Sequence, residues 1–520
     1  MATSNGSAIR QRATPVNGSN GHTSSKNGHA NGVNGNDTSK AGGYASHITE
    51  HGREIDRKLD AHDEWEFGGP VGTLAMMLGF PCLMYYLWIC LWHFQGRLVH
   101  PTSLSWDGKG GIGTFLSEMV GIVKKDAYPT RYAFNTYASL IAIQLVLALV
   151  MPGLDQEGLP VPSLNYKSLM YHCNALASFY TTIVLAAVFH VTGIFQLPHL
   201  IEHFGELMSW AIIISFFFTF LIYTLAVTCH YGGKPLRMSG NVIYDVFMGA
   251  SLNPRLFTSR AFALGRKRWD GVDLKMFAEV RVPWVLLFMI AVSGAVKQYQ
   301  DLGYVTPNML FMILATGLYI NACAKGEHMI PQTWDMFHEK FGFMLIFWNM
   351  AGVPFTYCYP ILYMARNDPA TYRFPTLVYV ALFVTLCCAY YVFDTSMSQK
   401  SAFKMQSQGV YVPRASFPQL PGSVCVNPTF IQTKHGNKLL TSGWWAWARK
   451  PNYTADWIQA LTWGLSAGLN TPITFFYPAF FMTVLIHRCG RDFERCARKY
   501  GDDWKRYTEV VKYRFIPGVY

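Results

Sequence analysis

NYTADWIQALTWGLSAGLNTPITFFYPAFFMTVLIH, residues 452–487, decides how this chain folds. It is too long for one membrane-crossing helix, which needs about 20 apolar residues, and barely long enough for two. GLNTPITFFYP, residues 468–478, interrupts it with glycine, asparagine and proline, the residues that punctuate helices. The stretch therefore reads as a hairpin of two short helices of roughly 17 residues each. Upstream, apolar runs recur at 71–94, 133–152, 174–197, 207–229, 283–296, 304–323, 340–364 and 376–393. Together with the hairpin they give about ten spans. Loop charge supports this count. With the N-terminus in the cytosol, the lysine- and arginine-rich loops 230–282 and 395–456 fall inside, and the hairpin brings the basic C-terminus to the same face.

Composition agrees. Of 520 residues, 51% are hydrophobic, 15% aromatic and only 14% charged, where a soluble chain carries about 25% charged residues. Several soluble domains, a collagen, a coiled coil and a disulfide-rich secreted scaffold are excluded for the chain as a whole. The expected fold is all-α, a polytopic membrane helix bundle without a Rossmann domain. Residues 1–68, rich in Asn, Gly, Ser and Thr, are expected to be a disordered cytosolic tail, with 69–520 forming the membrane domain. The net charge of +12 then sits in loops and tails, where it favours anionic lipid or a phosphate-bearing ligand.

Few motifs carry chemistry by themselves. Gly108–Gly113 matches GxGxxG but lies in a loop between spans, without the strand and helix that a dinucleotide site requires. The 11 cysteines form no CxxC pair, and no metal site is expected. Between two spans, GEHMIPQTWDMFHEK places Glu327, His328, Asp335, His338 and Glu339 at the membrane edge, where desolvation favours a protonated carboxyl. Lys400 and Lys404 share a helical face just past a span. TSGWWAWARKPNY, residues 441–453, is aromatic and basic. The C-terminus HRCGRDFERCARKYGDDWKRY, residues 487–507, is dense in cations, suited either to anionic lipid or to a diphosphate and 2′-phosphate.

The C-terminal segment resembles the signature of the membrane sterol reductases. TSGWWAWARKPNY, SQKSAFK and GNVIYDVFMGASLNPR resemble further blocks of that family, in the same order, so the resemblance runs from about Glu64 to Tyr520. GEHMIPQTWDMFHEKFGFMLIFWNMAGVPFTYC most resembles the fungal branch that performs the last reduction in ergosterol synthesis. The resemblance implies an NADPH-dependent enzyme of ten transmembrane helices in the endoplasmic reticulum, with both termini cytosolic. Its substrate is a sterol within the bilayer, ergosta-5,7,22,24(28)-tetraen-3β-ol, whose C24(28) double bond is reduced to give ergosterol. Membrane lipids and other sterol-synthesis enzymes are the implied partners, and no nucleic acid is expected.

Carried over residue by residue, the family's cofactor positions fall on Lys400, Lys404, Leu440, Trp445, Asn452, Tyr453, Asp492, Cys496, Arg498, Lys499, Tyr500 and Tyr507, so the NADPH pocket is expected mainly from 395–520. Lys404 stands where relatives often carry arginine, which changes a bidentate contact to a point charge. An unactivated alkene must be protonated before it accepts hydride, so an acid beside a dry slot is required. Glu327 or Asp335 is the expected source or relay of the proton, with Tyr357 or Asp394 next in line. The alternatives are reduction of a ring C-14 or C-7 alkene by a relative, a non-catalytic sterol-binding protein, or a transporter, which would call for inverted repeats.

Overall fold

The computed structural model describes residues 48–60, 65–101, 111–161, 164, 167–413, 420 and 422–518. Most of the low-complexity tail and part of the Gly108–Gly113 motif lie outside the described residues. The described chain is mostly helical, with three antiparallel two-stranded sheets. Its described residues divide into two compact units, one within 60–394 and 452–492 and one within 48–59, 395–451 and 493–518.

All the apolar runs are helical. Seven helices are long and apolar enough to cross a membrane: Gly69–His93, Arg131–Val150, Phe204–Cys229, Leu274–Leu302, Pro307–Lys325, Thr376–Ser407 and Pro472–Tyr500. The other three runs depart from simple spans. Ala175–Val191 is apolar but shorter. Residues 340–364, expected as one helix, are broken into Phe343–Phe347, a π-turn at Trp348–Gly352, Val353–Thr356 and Tyr359–Arg366. The backbone stays helical from Phe343 through the π-helical turn to Thr356, and Pro360, which supplies no amide hydrogen, accounts for the interruption at Tyr357 and Cys358. The deciding stretch is a hairpin of Pro451–Ser466 and Phe476–Tyr500 joined through a turn at Pro472–Phe475. Its second helix runs past His487 to Tyr500, because the basic, non-apolar continuation still contains good helix formers.

Within the larger unit, Leu274–Leu302 is central. Its apolar window is 78% buried, against 22% for that of Thr376–Ser407, whose exposed Leu377, Val380 and Val384 suit a lipid-facing wall. A hairpin of Leu154–Val161 and Lys167–Cys173 packs on the Glu327–Gln332 turn. Gly249, in the left-handed region at φ +89°, meets Gly342 so closely that a Cβ on either would collide with the other's backbone nitrogen.

The smaller unit has its own core of Phe403, Leu440 and Trp445. Around it lie the C-terminal part of Thr376–Ser407, the strands Phe430–Gln432 and Lys438–Leu440, and the turn Gly443–Ala446. Glu50–Asp60, inside the stretch expected to lack structure, forms a helix. It is highly charged with few apolar residues, but they fall on one side with Gly52 and Asp56, while Glu54, Arg57 and Lys58 face outward.

Candidate active site

The acidic loop is held by cations. Arg281 donates to Glu327 at 3.0 Å, to Asn174 at 2.5 Å and to Ser178 at 2.8 Å, while the Ala175 amide donates to the other Glu327 oxygen at 2.7 Å. Glu327 is thus the buried counterion of Arg281. Asp335 pairs with Arg488 at 2.6 Å. Arg491 bridges Glu66 at 2.6 Å and Glu339 at 2.9 Å. Burial of Glu339 would raise its pKa, but Arg491 and the Trp334 indole outweigh that and hold the carboxyl below its ordinary value. Lys275 is wholly buried beneath the loop and donates to the backbone carbonyls of Asp335, Met336 and Glu339. Asp394 pairs with Lys325 at 2.6 Å. All three carboxylic acids expected to supply the proton are therefore engaged with basic side chains.

Tyr357 has different surroundings. Its ring stacks on Tyr477 at 3.7 Å between centroids, and the Trp348 indole donates to its hydroxyl at 3.2 Å. Trp284 bridges Tyr357 and Tyr319, with ring centroids at 6.4 and 4.3 Å, and Trp463 packs on Tyr319 at 5.9 Å and on Tyr477 at 5.2 Å. The Tyr319 hydroxyl donates to Asp456 Oδ2 at 3.3 Å. Asp456 is 8% exposed, and its Oδ1 has no hydrogen-bond partner among the described residues. Gln459 Nε2 and Trp463 Nε1 are buried and unpartnered in the same way. Positions 456, 459 and 463 lie on one face of the Pro451–Ser466 helix. Buried polar atoms are nearly always satisfied, so these three unpartnered atoms on one helical face make this face a candidate site.

Neither Tyr319 nor Asp456 stands out in the sequence as a candidate. Asp456 does leave a signal, as a carboxyl inside an apolar segment. Tyr319 leaves none, since one tyrosine in an aromatic-rich helix is unremarked until its partner is known.

The expected cofactor positions divide between the units. Asn452, Tyr453 and Asp492 belong to the larger, and the rest to the smaller. In the smaller unit Lys400 lies 3.9 Å from the centroid of the Trp445 ring, whose indole donates to the Ser396 carbonyl at 2.8 Å. Leu440 and Trp445 are core residues, 6% and 2% exposed. Trp445 is therefore packed and not open for stacking on a base, and its contribution is to support Lys400. Lys404 follows one turn later on the same helix. Lys499 pairs with Asp56 at 2.9 Å, and the Tyr500 hydroxyl accepts from Asn437 at 3.1 Å. Arg498 is within 3.9 Å of Glu494, Cys496 is half-buried, and Tyr507 stacks on Trp504. Point-charge lysines next to arginine and aromatic residues are a donor set that fits phosphate groups.

A multi-pass membrane bundle with an acid–tyrosine pair inside an aromatic enclosure, and a separate basic unit, is the class these features define. The chain belongs to the ergosterol biosynthesis ERG4/ERG24 family, whose model matches residues 61–520. It is 44% identical to the Delta(24(24(1)))-sterol reductase erg4A of Aspergillus fumigatus over 458 residues, covering 88% of this chain and 93% of the relative. Identity to the Delta(24(24(1)))-sterol reductase of Gibberella zeae is 40% over 502 residues, 96% of this chain and 80% of that one. The Delta(14)-sterol reductase of Dictyostelium discoideum is 32% identical over 487 residues, 93% of this chain and 98% of that one.

Proposed function

We propose that this protein reduces the C24(28) double bond of ergosta-5,7,22,24(28)-tetraen-3β-ol to ergosterol, using NADPH, in the endoplasmic reticulum membrane with both termini cytosolic. The higher identity to the two Delta(24(24(1)))-sterol reductases, 44% and 40%, than to the Delta(14)-sterol reductase, 32%, supports the side-chain alkene as the reacting bond. The observation that carries the chemistry is the contact of Tyr319 with Asp456 inside a wall of aromatic rings.

The residues suited to NADPH are Lys400, Lys404, Lys499 and Arg498 for its phosphates, and when bound it supplies the hydride. The chain's own residues do the rest. Tyr319 and Asp456 hold a proton between them and deliver it to the terminal methylene carbon. The π bond supplies the electron pair for the new C–H bond, leaving a tertiary, allylic cation at carbon 24. The electron-rich rings of Tyr319, Tyr357, Tyr477 and Trp463 favour a cation beside them, and the packed aromatic wall excludes water that would trap it. Hydride arrival at carbon 24 completes the reduction. Glu327, Asp335 and Asp394 serve as counterions that fix Arg281, Arg488 and Lys325.

Expression in a yeast lacking its own last-step reductase, followed by sterol analysis, tests the assignment. Ergosterol should replace the tetraenol. Persistent tetraenol despite well-expressed protein would remove it, and loss of a Δ14 sterol in a strain blocked at that step would favour the ring alkene instead.

A further inference from the structure

The Glu50–Asp60 helix precedes the family-matched region, which begins at residue 61. It is nonetheless tied into the smaller unit at several points. The Thr49 amide donates to the His435 carbonyl at 3.1 Å, and its hydroxyl donates to the Lys434 carbonyl at 2.8 Å. Gly52 lies against the same strand turn so tightly that a Cβ would strike the His435 carbonyl oxygen. One turn further on, Asp56 Oδ1 reaches Lys499 Nζ at 2.9 Å and His435 Nε2 at 3.1 Å. These groups are mostly shielded: the side chains of Asp56, Lys499 and His435 are 13%, 16% and 0% exposed. Burial of Asp56 would raise its pKa, but His435 and Lys499 reverse that and hold it below the ordinary value.

Lys499 is one of the lysines assigned above to cofactor phosphate, and the role inferred for Asp56 rests on that reading. A lysine is a point charge on a flexible stem, and fixing it in advance lowers the entropy cost of binding. Asp56 fixes it. The ammonium has three donors, so one can remain on Asp56 while others meet an anion. From this geometry we infer that Asp56 is a positioning residue for the phosphate end of the cofactor, contributed by a segment outside the family-matched residues. The contact also gives the glycine at 52 a purpose: any side chain there would lift the helix and withdraw the carboxylate.

The test uses the full chain in lipid nanodiscs. Equilibrium affinity is measured by calorimetry for NADPH and for 2′,5′-ADP, which carries the 2′-phosphate and the adenosine-side 5′-phosphate without the nicotinamide. Asp56→Ala should weaken both by roughly two- to tenfold, the penalty for immobilising one flexible side chain. Asp56→Asn keeps an oxygen for Lys499 and should stay close to the native affinity. The KM for sterol should not move in either variant, which a general structural defect would not spare. Gly52→Leu removes the contact without altering any charge and should weaken both ligands as Asp56→Ala does, so the question survives if Asp56→Ala fails to fold. Lys499→Ala is the reference. Unchanged or tighter binding in Asp56→Ala and Gly52→Leu, with weaker binding in Lys499→Ala, overturns the positioning role. Unchanged binding in Lys499→Ala overturns the cofactor assignment itself.

Discussion

Two kinds of buried carboxyl coexist in the larger unit, and substitution should separate them. Asp456 meets a hydroxyl and has one oxygen without a partner among the described residues, whereas Glu327 meets Arg281 and a backbone amide. Asp456→Asn and Tyr319→Phe should each lower kcat by about 10²–10⁴-fold while leaving the thermal midpoint nearly unchanged, as loss of a general acid does. Glu327→Ala should do the reverse. Removing one partner of a buried pair costs about 3–5 kcal/mol, so folded protein is lost before turnover per folded molecule. Size-exclusion profiles and activity per mole of folded enzyme distinguish the two outcomes. Acid should expose a further pair of carboxyls. Asp56 and Glu339 are held below their ordinary values of 3.8 and 4.5. Depressed carboxyls contribute stability that is complete above those values and lost as pH falls through the lower folded-state values. The thermal midpoint should therefore drop on acidification below about pH 4.5, and Glu339→Gln should flatten that drop.

At the scale of elements, close backbone approach is the vulnerable feature. Gly249→Ala or Gly342→Ala would push a Cβ against the other's backbone, and neither glycine has a side chain to move aside. Both variants should fail to yield monodisperse protein, whereas alanine at Gly79, where a Cβ meets nothing within 4 Å, should be tolerated. Gly352→Ala is subtler, since its Cβ would strike the Trp348 ring that donates to Tyr357. It should fold and lose activity. The helices themselves are legible from the apolar runs, and the hairpin break from Gly468, Asn470, Pro472 and Pro478. The 340–364 run misleads because apolar composition does not distinguish a straight helix from one with a π-helical turn at Trp348–Gly352 and an interruption before Pro360. Glu50–Asp60 is hidden for the opposite reason: it holds few apolar residues, next to a low-complexity tail, and its ion-pair partners His435 and Lys499 lie far along the chain. The site is legible in part. The spacing of Lys400 and Lys404 puts them on one helical face, but their expected cofactor role comes from the resemblance alone; Asp456 and Tyr319 are 137 positions apart and only the fold joins them.

For the whole molecule, the low charged fraction of 14% and the engaged buried acids fit the proposed chemistry, in which an alkene is protonated and the carbocation must be kept from water. The smaller unit, with its own small core, carries Lys400, Lys404 and Lys499, which suit an anionic cofactor. The division of labour makes a definite statement about where each hydrogen of the product originates. Reduction of the tetraenol by the purified protein in deuterium oxide, with unlabelled NADPH, should place solvent deuterium on the former methylene carbon and none on carbon 24. With deuterated NADPH in ordinary water, the label should appear on carbon 24 alone. Solvent deuterium on carbon 24, or cofactor deuterium on the methylene carbon, would contradict protonation by the Tyr319–Asp456 pair followed by hydride capture.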